Sequence, residues 1–171
     1  MAEGGIRAPL IIAGPGVKQA GSINAAFLHV MDIAPTLYEL ADAEHPSSKS
    51  DSKIAPLQGK SLVPLLAGKS ESVRGDRDWV GWELFGNRAV RRGDWKILNL
   101  LRATGGTGEW QLFNLKADPA ETHDLAKDNP NQLKELVALW DEYAKNNGVI
   151  LSGDGPFMRG KEASVAEDLG D

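Results

Sequence analysis

Trp79-Val80-Gly81-Trp82-Glu83-Leu84-Phe85, Asn87-Arg88-Ala89-Val90-Arg91 and Trp95-Lys96-Ile97-Leu98-Asn99-Leu100 decide the fold of this chain. The first and third runs carry aromatic and β-branched residues, and only short glycine-bearing segments separate the three, Arg92-Gly93-Asp94 being one. Such short connections permit only antiparallel neighbours, because parallel strands need a long crossover. Thr104-Gly105-Gly106-Thr107-Gly108 makes a looser turn, and Trp110-Gln111-Leu112-Phe113-Asn114-Leu115 returns as a fourth run before Asp118-Pro119. The pattern predicts an antiparallel meander. Along its third run, Trp95, Ile97 and Asn99 share one face.

Beyond the meander a helix is expected over residues 131–147, with Pro130 in its first turn and Gly148 just past its end. Leu133, Leu136, Val137, Trp140, Tyr143 and Ala144 make one apolar stripe, suited to covering one face of a small sheet. Residues 149–171 show no period and are expected to form an extended tail.

Toward the N-terminus, Ala8-Pro9-Leu10-Ile11-Ile12-Ala13 is a short apolar run closed by Gly14-Pro15-Gly16. It reads as a strand buried on both faces, yet no similar run stands beside it. A helix is expected from Asp32, as N-cap, through Ala41, with Ile33, Leu37 and Leu40 on one side. Ser61 to Gly68 repeats the pattern, with Ser61 as cap and Gly68 as terminator. Residues 43–53 are rich in Ser, Lys, Asp and Glu and read as a solvated loop.

The chain has 171 residues, 42% of them hydrophobic and 25% charged, with a net charge of −5. That balance suits a soluble globular protein and disfavours nucleic acid or an anionic membrane as partner, since both need a basic surface. Having no cysteine excludes disulfides, thiolate metal sites and a cysteine nucleophile. No run approaches the length of a membrane helix. The segment Met1-Ala2-Glu3-Gly4-Gly5 has neither the basic start nor the apolar stretch of a signal peptide.

Tests for chemistry give little on the residues alone. Gly14-Pro15-Gly16 lacks the third glycine of a dinucleotide loop and reads as a turn. Asp118, Glu121, His123 and Asp124 cluster in sequence, but their spacing fits no Ca²⁺ loop. His29 reads as a buried, hydrogen-bonded residue and His45 as part of the polar loop. There is no G-x-S-x-G nucleophile elbow. Trp82, Trp95 and Trp110 suit a stacking platform, though at alternating strand positions they suit a core better. The residues by themselves describe an α+β domain without a convincing active site.

Four segments, in order, resemble the C-terminal third of the sulfatase family, within the alkaline-phosphatase-like superfamily. Glu3-Gly4-Gly5-Ile6-Arg7-Ala8-Pro9 is similar to its E-G-G-x-R-x-P stretch, and His29-Val30-Met31-Asp32-Ile33-Ala34-Pro35-Thr36-Leu37 to its D-[IL]-x-P-T helix start. Gly86-Asn87-Arg88-Ala89-Val90-Arg91-Arg92-Gly93-Asp94-Trp95-Lys96 resembles its G-[HN]-R-A-x-R-x-G-x-W-K hairpin. Leu112-Phe113-Asn114-Leu115, Asp118-Pro119-Ala120-Glu121-Thr122 and Asp124-Leu125-Ala126 resemble its closing segment.

The resemblance implies an α+β fold: a small, about four-stranded antiparallel sheet with a packed C-terminal helix. To these it adds a strand and helices left over from the large α/β sulfatase domain. It assigns residues 1–72 to the remnant of the catalytic domain, 73–148 to the small C-terminal subdomain and 149–171 to the tail. The family uses a formylglycine, made in a [CS]-x-P-x-R motif, and a Ca²⁺ ion held by Asp and Asn. Here no Cys or Ser occupies that motif, and Glu44 stands in the nucleophile's place before Pro46. The family lysine that binds the sulfate typically precedes the E-G-G segment, and the early Asp ligands are missing too.

Formylglycine and Ca²⁺ are therefore expected in an intact parent enzyme, with no catalytic residue and no metal ligand in this chain, which is expected to be inactive alone. Glu83, Asn87 and Arg88 are the substrate-proximal candidates, with pairing to an interdomain acid the competing role for Arg88. The expected partner is an N-terminal catalytic domain, and self-association through the face it would cover is a further expectation. A periplasmic location is what the family implies for the parent. The alternatives are a stand-alone glycan- or protein-binding module and an active phosphoesterase-like hydrolase.

Overall fold

The computed structural model describes residues 1–49 and 51–151. In chain order its helices are α1 (Glu3–Ile6), α2 (Ile33–Leu40), α3 (Val63–Leu66) and α4 (Pro130–Asn146). The strands are β1 (Trp79–Leu84), β2 (Asn87–Arg92), β3 (Trp95–Asn99) and β4 (Gln111–Asn114). Two compact units result: Met1–Ala8 with the chain from Asp78 onward, and Pro9–Arg77. They divide the chain differently from the expected 1–72 and 73–148, because the first eight residues belong with the sheet. The expected tail falls mostly on residues 152–171, outside the described residues.

In the sheet unit the strands lie in sequence order, β1-β2-β3-β4, each antiparallel to the next. Two-residue turns set the register. Leu84 pairs with Asn87 across Phe85-Gly86, and Arg92 pairs with Trp95 across Gly93-Asp94. At the first turn Phe85 and Gly86 have φ of 53° and 83°. Positive φ at both positions is the type I′ geometry whose twist matches that of the strands. Gly86 adopts it freely, whereas Phe85, which the sequence places at the end of β1, is the strained half of the turn.

Alternation gives the sheet two covered faces. Val90, Ile97 and Leu112 pack under Leu136 and Trp140 of α4, with Trp79, Trp95 and Trp110 around them. Leu136 is fully buried, and truncating such a leucine to alanine costs about 2–5 kcal/mol. The helix approaches closely at Gly81, where a Cβ would stand 2.6 Å from the Tyr143 ring. Ala89, Leu98, Phe113 and Leu115 form the second face, joined by Trp82, Met1 and Ala2. The tryptophans are thus shared between opposite faces, so Trp82 cannot stack beside Trp95 and Trp110.

Unit Pro9–Arg77 contains α2 and α3. Asp32 does not cap α2 with its side chain as expected; instead its carboxylate accepts from the His29 amide at 2.8 Å. Leu62, not Ser61, stands at the N-cap of α3 and makes no side-chain cap bond; Ser61 Oγ, one residue earlier, accepts from Val63 N at 3.2 Å, and Gly68, with φ of 66°, follows the helix end. Gly14 to Val17 is a turn, closed by a 3.3 Å bond from Val17 N to Gly14 O. The buried strand expected at Ala8–Ala13 does not form. Leu10, Ile11 and Ile12 are 49%, 92% and 37% exposed. A strand buried on both faces needs paired edges, and among the described residues nothing pairs with this one.

Candidate functional site

Two networks of buried charge organise the units. In the sheet unit Lys96 lies on β3, pointing away from α4, and its side chain is wholly buried. Its Nζ donates to Glu3 Oε1 and to Met1 O, each at 2.8 Å. Glu121 Oε1 also stands 2.8 Å from Nζ. It lies off the hydrogen-bonding direction, so this contact is ionic. Glu121 Oε2 accepts from the Glu3 amide at 2.7 Å. Arg91, cross-strand from Lys96, brings its NH1 within 4.0 Å of Glu3 Oε2. Burial lowers the Arg91 pKa, while Glu3 and Asp94 oppose that shift. Two cations and two carboxylates thus balance.

Such a set survives burial only when each charge is paired, because desolvating an ion costs several kcal/mol. The sequence supplies the pieces from far apart. Glu3 comes from the E-G-G segment, Lys96 from the end of the W-K hairpin and Glu121 from the closing segment. Sequence reading missed the convergence. The signal available was Lys96, which strand alternation places on the same face as the apolar Leu98, where a charge needs partners.

In unit Pro9–Arg77, Asp32 is fully buried. Arg74 grips it bidentately, with both N–O distances 2.7 Å, and Lys60 N donates to Oδ1 at 2.9 Å. Arg74 also lies 5.1 Å from the Phe27 ring centroid. Burial raises the Asp32 pKa, but the Arg74 hydrogen bonds and the Lys60 and His29 amides outweigh it and hold the carboxyl below its usual range. His29 is lowered by burial and by Arg74, with Asp32 opposing. Its Nδ1 accepts from Met31 N at 3.3 Å. Thr36 completes the core by donating to Asp32 O at 2.6 Å and accepting from Leu62 N at 2.8 Å.

The candidates Glu83, Asn87 and Arg88 sit around the β1–β2 turn but do not converge. Glu83 Oε1 accepts from Gly86 N at 2.7 Å, holding the turn. Asn87 Oδ1 accepts from Leu101 N and Thr104 Oγ1, both at 2.9 Å, fixing the loop after β3. Arg88, facing α4, lies against Trp110 and Trp140. In the loop after β4, Asp118 Oδ2 accepts from the Thr122 and His123 amides at 2.7 and 2.8 Å. Asp124 Oδ1 accepts from Leu112 N at 3.0 Å and Ala126 N at 2.9 Å. With Glu121 spent on Lys96, these acids are committed to backbone and cation. Among the described residues no three His, Asp or Glu side chains stand together as metal ligands.

Comparison with known proteins fits this architecture. Residues 1–146 match the family model described as N-sulphoglucosamine sulphohydrolase, C-terminal. An uncharacterized sulfatase of Schizosaccharomyces pombe is 39% identical over 89% of this chain and 27% of its own length. An N-acetylglucosamine-6-O-sulfatase of Bacteroides thetaiotaomicron is 28% identical over 81% of the chain and 25% of its own. Among solved structures, a 2-O GAG sulfatase aligns with a TM-score of 0.57 at 29% identity, covering 80% of this chain and 29% of that one. The chain therefore spans about a quarter of the length of the relatives it matches. The antiparallel sheet with its covering helix is that of sulfatase C-terminal domains. This chain belongs to the sulfatase family, as a C-terminal sulfatase domain.

Proposed function

We propose that the chain is the non-catalytic C-terminal part of a sulfate-ester hydrolase and that it has no turnover by itself. The observation carrying this reading is the commitment of its acids. Glu3, Asp32, Glu121 and Asp124 each use carboxylate oxygens to hold the fold. The family's formylglycine and Ca²⁺ do not fit the residues present: the chain has no Cys or Ser in a [CS]-x-P-x-R motif and no grouped oxygen ligands among the described residues. Both would belong to the catalytic domain of the intact enzyme. Relatives named for sulfated sugars support a sulfated saccharide as the substrate class of that enzyme.

Unit Pro9–Arg77 supports a docking role. Ile11 and Ile23 are 92% and 100% exposed, and Leu10, Leu37 and Leu40 are also exposed. Exposed aliphatic side chains of this kind are what a docking surface would present. In the proposed assembly Ala8–Ala13 would gain its strand pairing from the catalytic domain, and without that domain self-association through this face is expected. The test is an aryl sulfate ester assay with Ca²⁺, comparing the purified chain with a longer polypeptide carrying a [CS]-x-P-x-R motif. Activity confined to the longer polypeptide is expected. Turnover by the chain alone, persisting through repeated purification, would overturn the reading.

A further inference from the structure

Arg88, in the sheet unit, has no ion pair among the described residues. Arg88 lies on β2, paired across the strands with Glu83 on β1 and Asn99 on β3. Its guanidinium carbon is 5.3 Å from the Trp110 ring centroid and 5.2 Å from that of Trp140. The two indoles stand 5.8 Å apart, inclined by 58°, and form a wedge around it. Ring faces attract the cation but accept nothing from its edge, where the N–H groups point. Its Nε is buried without an acceptor. Glu83, the acid nearest in register, is turned to Gly86 N. Glu109, beside Trp110, is 79% exposed and faces Arg102 at 3.9 Å.

Two further polar atoms belong to the surroundings of Arg88. Trp140 Nε1 and Asn99 Oδ1 are buried without partners, on residues only 4% and 3% exposed. The Asn99 amide is correctly oriented, because its Nδ2 donates to Gly108 O at 3.1 Å and a flip would set oxygen against oxygen. For stability alone, a methionine would fill the wedge without the cost of an uncompensated charge. A fixed guanidinium with open hydrogen-bonding capacity is instead the arrangement that recognises planar or tetrahedral oxyanions by a two-pronged contact.

We propose that Arg88 is an oxyanion-binding residue: the Trp110–Trp140 wedge clamps its guanidinium so that the terminal nitrogens present a fork to a sulfate or carboxylate group. The wedge removes the rotamer freedom that an exposed arginine loses on binding. Trp110, partly exposed at the wedge, gives an attached sugar ring an apolar face. This inference does not rest on the sulfatase reading, since binding is measured without turnover.

The experiment titrates the chain, at constant ionic strength set with chloride, with sodium sulfate, glucose 6-sulfate, glucose and sodium acetate. It follows tryptophan fluorescence together with the NMR signals of Arg88 Nε–H and Trp140 Nε1–H. Saturable shifts with sulfate and the sulfate ester are expected, and none with glucose. An equal response to acetate would make the site one for oxyanions of either kind, whereas silence to acetate would identify sulfate. Arg88→Met should weaken binding about ten- to a hundredfold, the range of a charge-assisted hydrogen bond, while leaving the unfolding midpoint unchanged or higher. Arg88→Lys, which keeps the charge and loses the fork, should bind with intermediate affinity. No saturable response to any anion overturns the proposal. So does an Arg88→Met chain that is destabilised but binds as before, because that result makes the guanidinium a packing element.

Discussion

Replacing Lys96 by methionine is the sharpest test of how the sheet unit is held together. Methionine fills nearly the same volume on β3, so the apolar packing on that face survives. What is lost is the ammonium between Glu3 Oε1 and Glu121 Oε1, each 2.8 Å away, and the bond to Met1 O. Glu3 and Glu121 are then buried carboxylates facing each other, with only Arg91 at 4.0 Å to compensate. Removing one partner of a buried ion set costs about 3–5 kcal/mol. With a urea slope of about 1–3 kcal/mol per molar for a small domain, the midpoint should fall by roughly 1–5 M. Equilibrium urea unfolding by circular dichroism reads this directly. The triple change Lys96→Met, Glu3→Gln and Glu121→Gln should recover much of the loss, since no unpaired charge then remains buried. A Lys96→Met chain within about 1 kcal/mol of the parent, the span of exposed ion pairs, would refute the account of a desolvated cluster.

Two further outcomes follow from the geometry. Asp32 and His29 both have lowered pKa values, so each favours its deprotonated form in the fold. The His29 contribution is full above its ordinary 6.5 and is lost as pH falls below that. The Asp32 contribution is full above its ordinary 3.8 and is lost as pH falls through its depressed value. The urea midpoint of unit Pro9–Arg77 should therefore decline on acidification in two stages, and Arg74→Met should erase most of the lower one; a midpoint flat with pH would contradict this. Phe85→Asn places Asn-Gly in the type I′ turn, relieving a strained φ of 53°. It should raise stability by about 1 kcal/mol in thermal unfolding, and a lower midpoint would show that the Phe85 ring contributes more than the strain costs.

Much of the sheet unit is legible in the sequence because its signals are local. Glycine turns, alternation and the stripe on α4 each act over a few residues, and β2, β3, β4 and α4 lie close to where those patterns place them. The end of β1 is the exception, since nothing in Leu84-Phe85-Gly86 announces that Phe85 adopts positive φ. The family was legible too, through four ordered segments. The site was not. Glu83, Asn87 and Arg88 are neighbours in sequence, but strand alternation and local hydrogen bonds send their side chains to separate tasks.

The sequence by itself determined the antiparallel meander, its covering helix and the membership in the sulfatase family, because period and turn chemistry are written residue by residue. Only the tertiary structure decided what the charged residues of those motifs do. Glu3 and Lys96 are separated by 93 residues, and Asp32 and Arg74 by 42. Pairing across such distances is set by how the chain closes and by the cost of leaving any of these charges in a dry interior alone. Tertiary structure also left Ala8–Ala13 unpaired, since an apolar run becomes a buried strand only where neighbours accept its backbone.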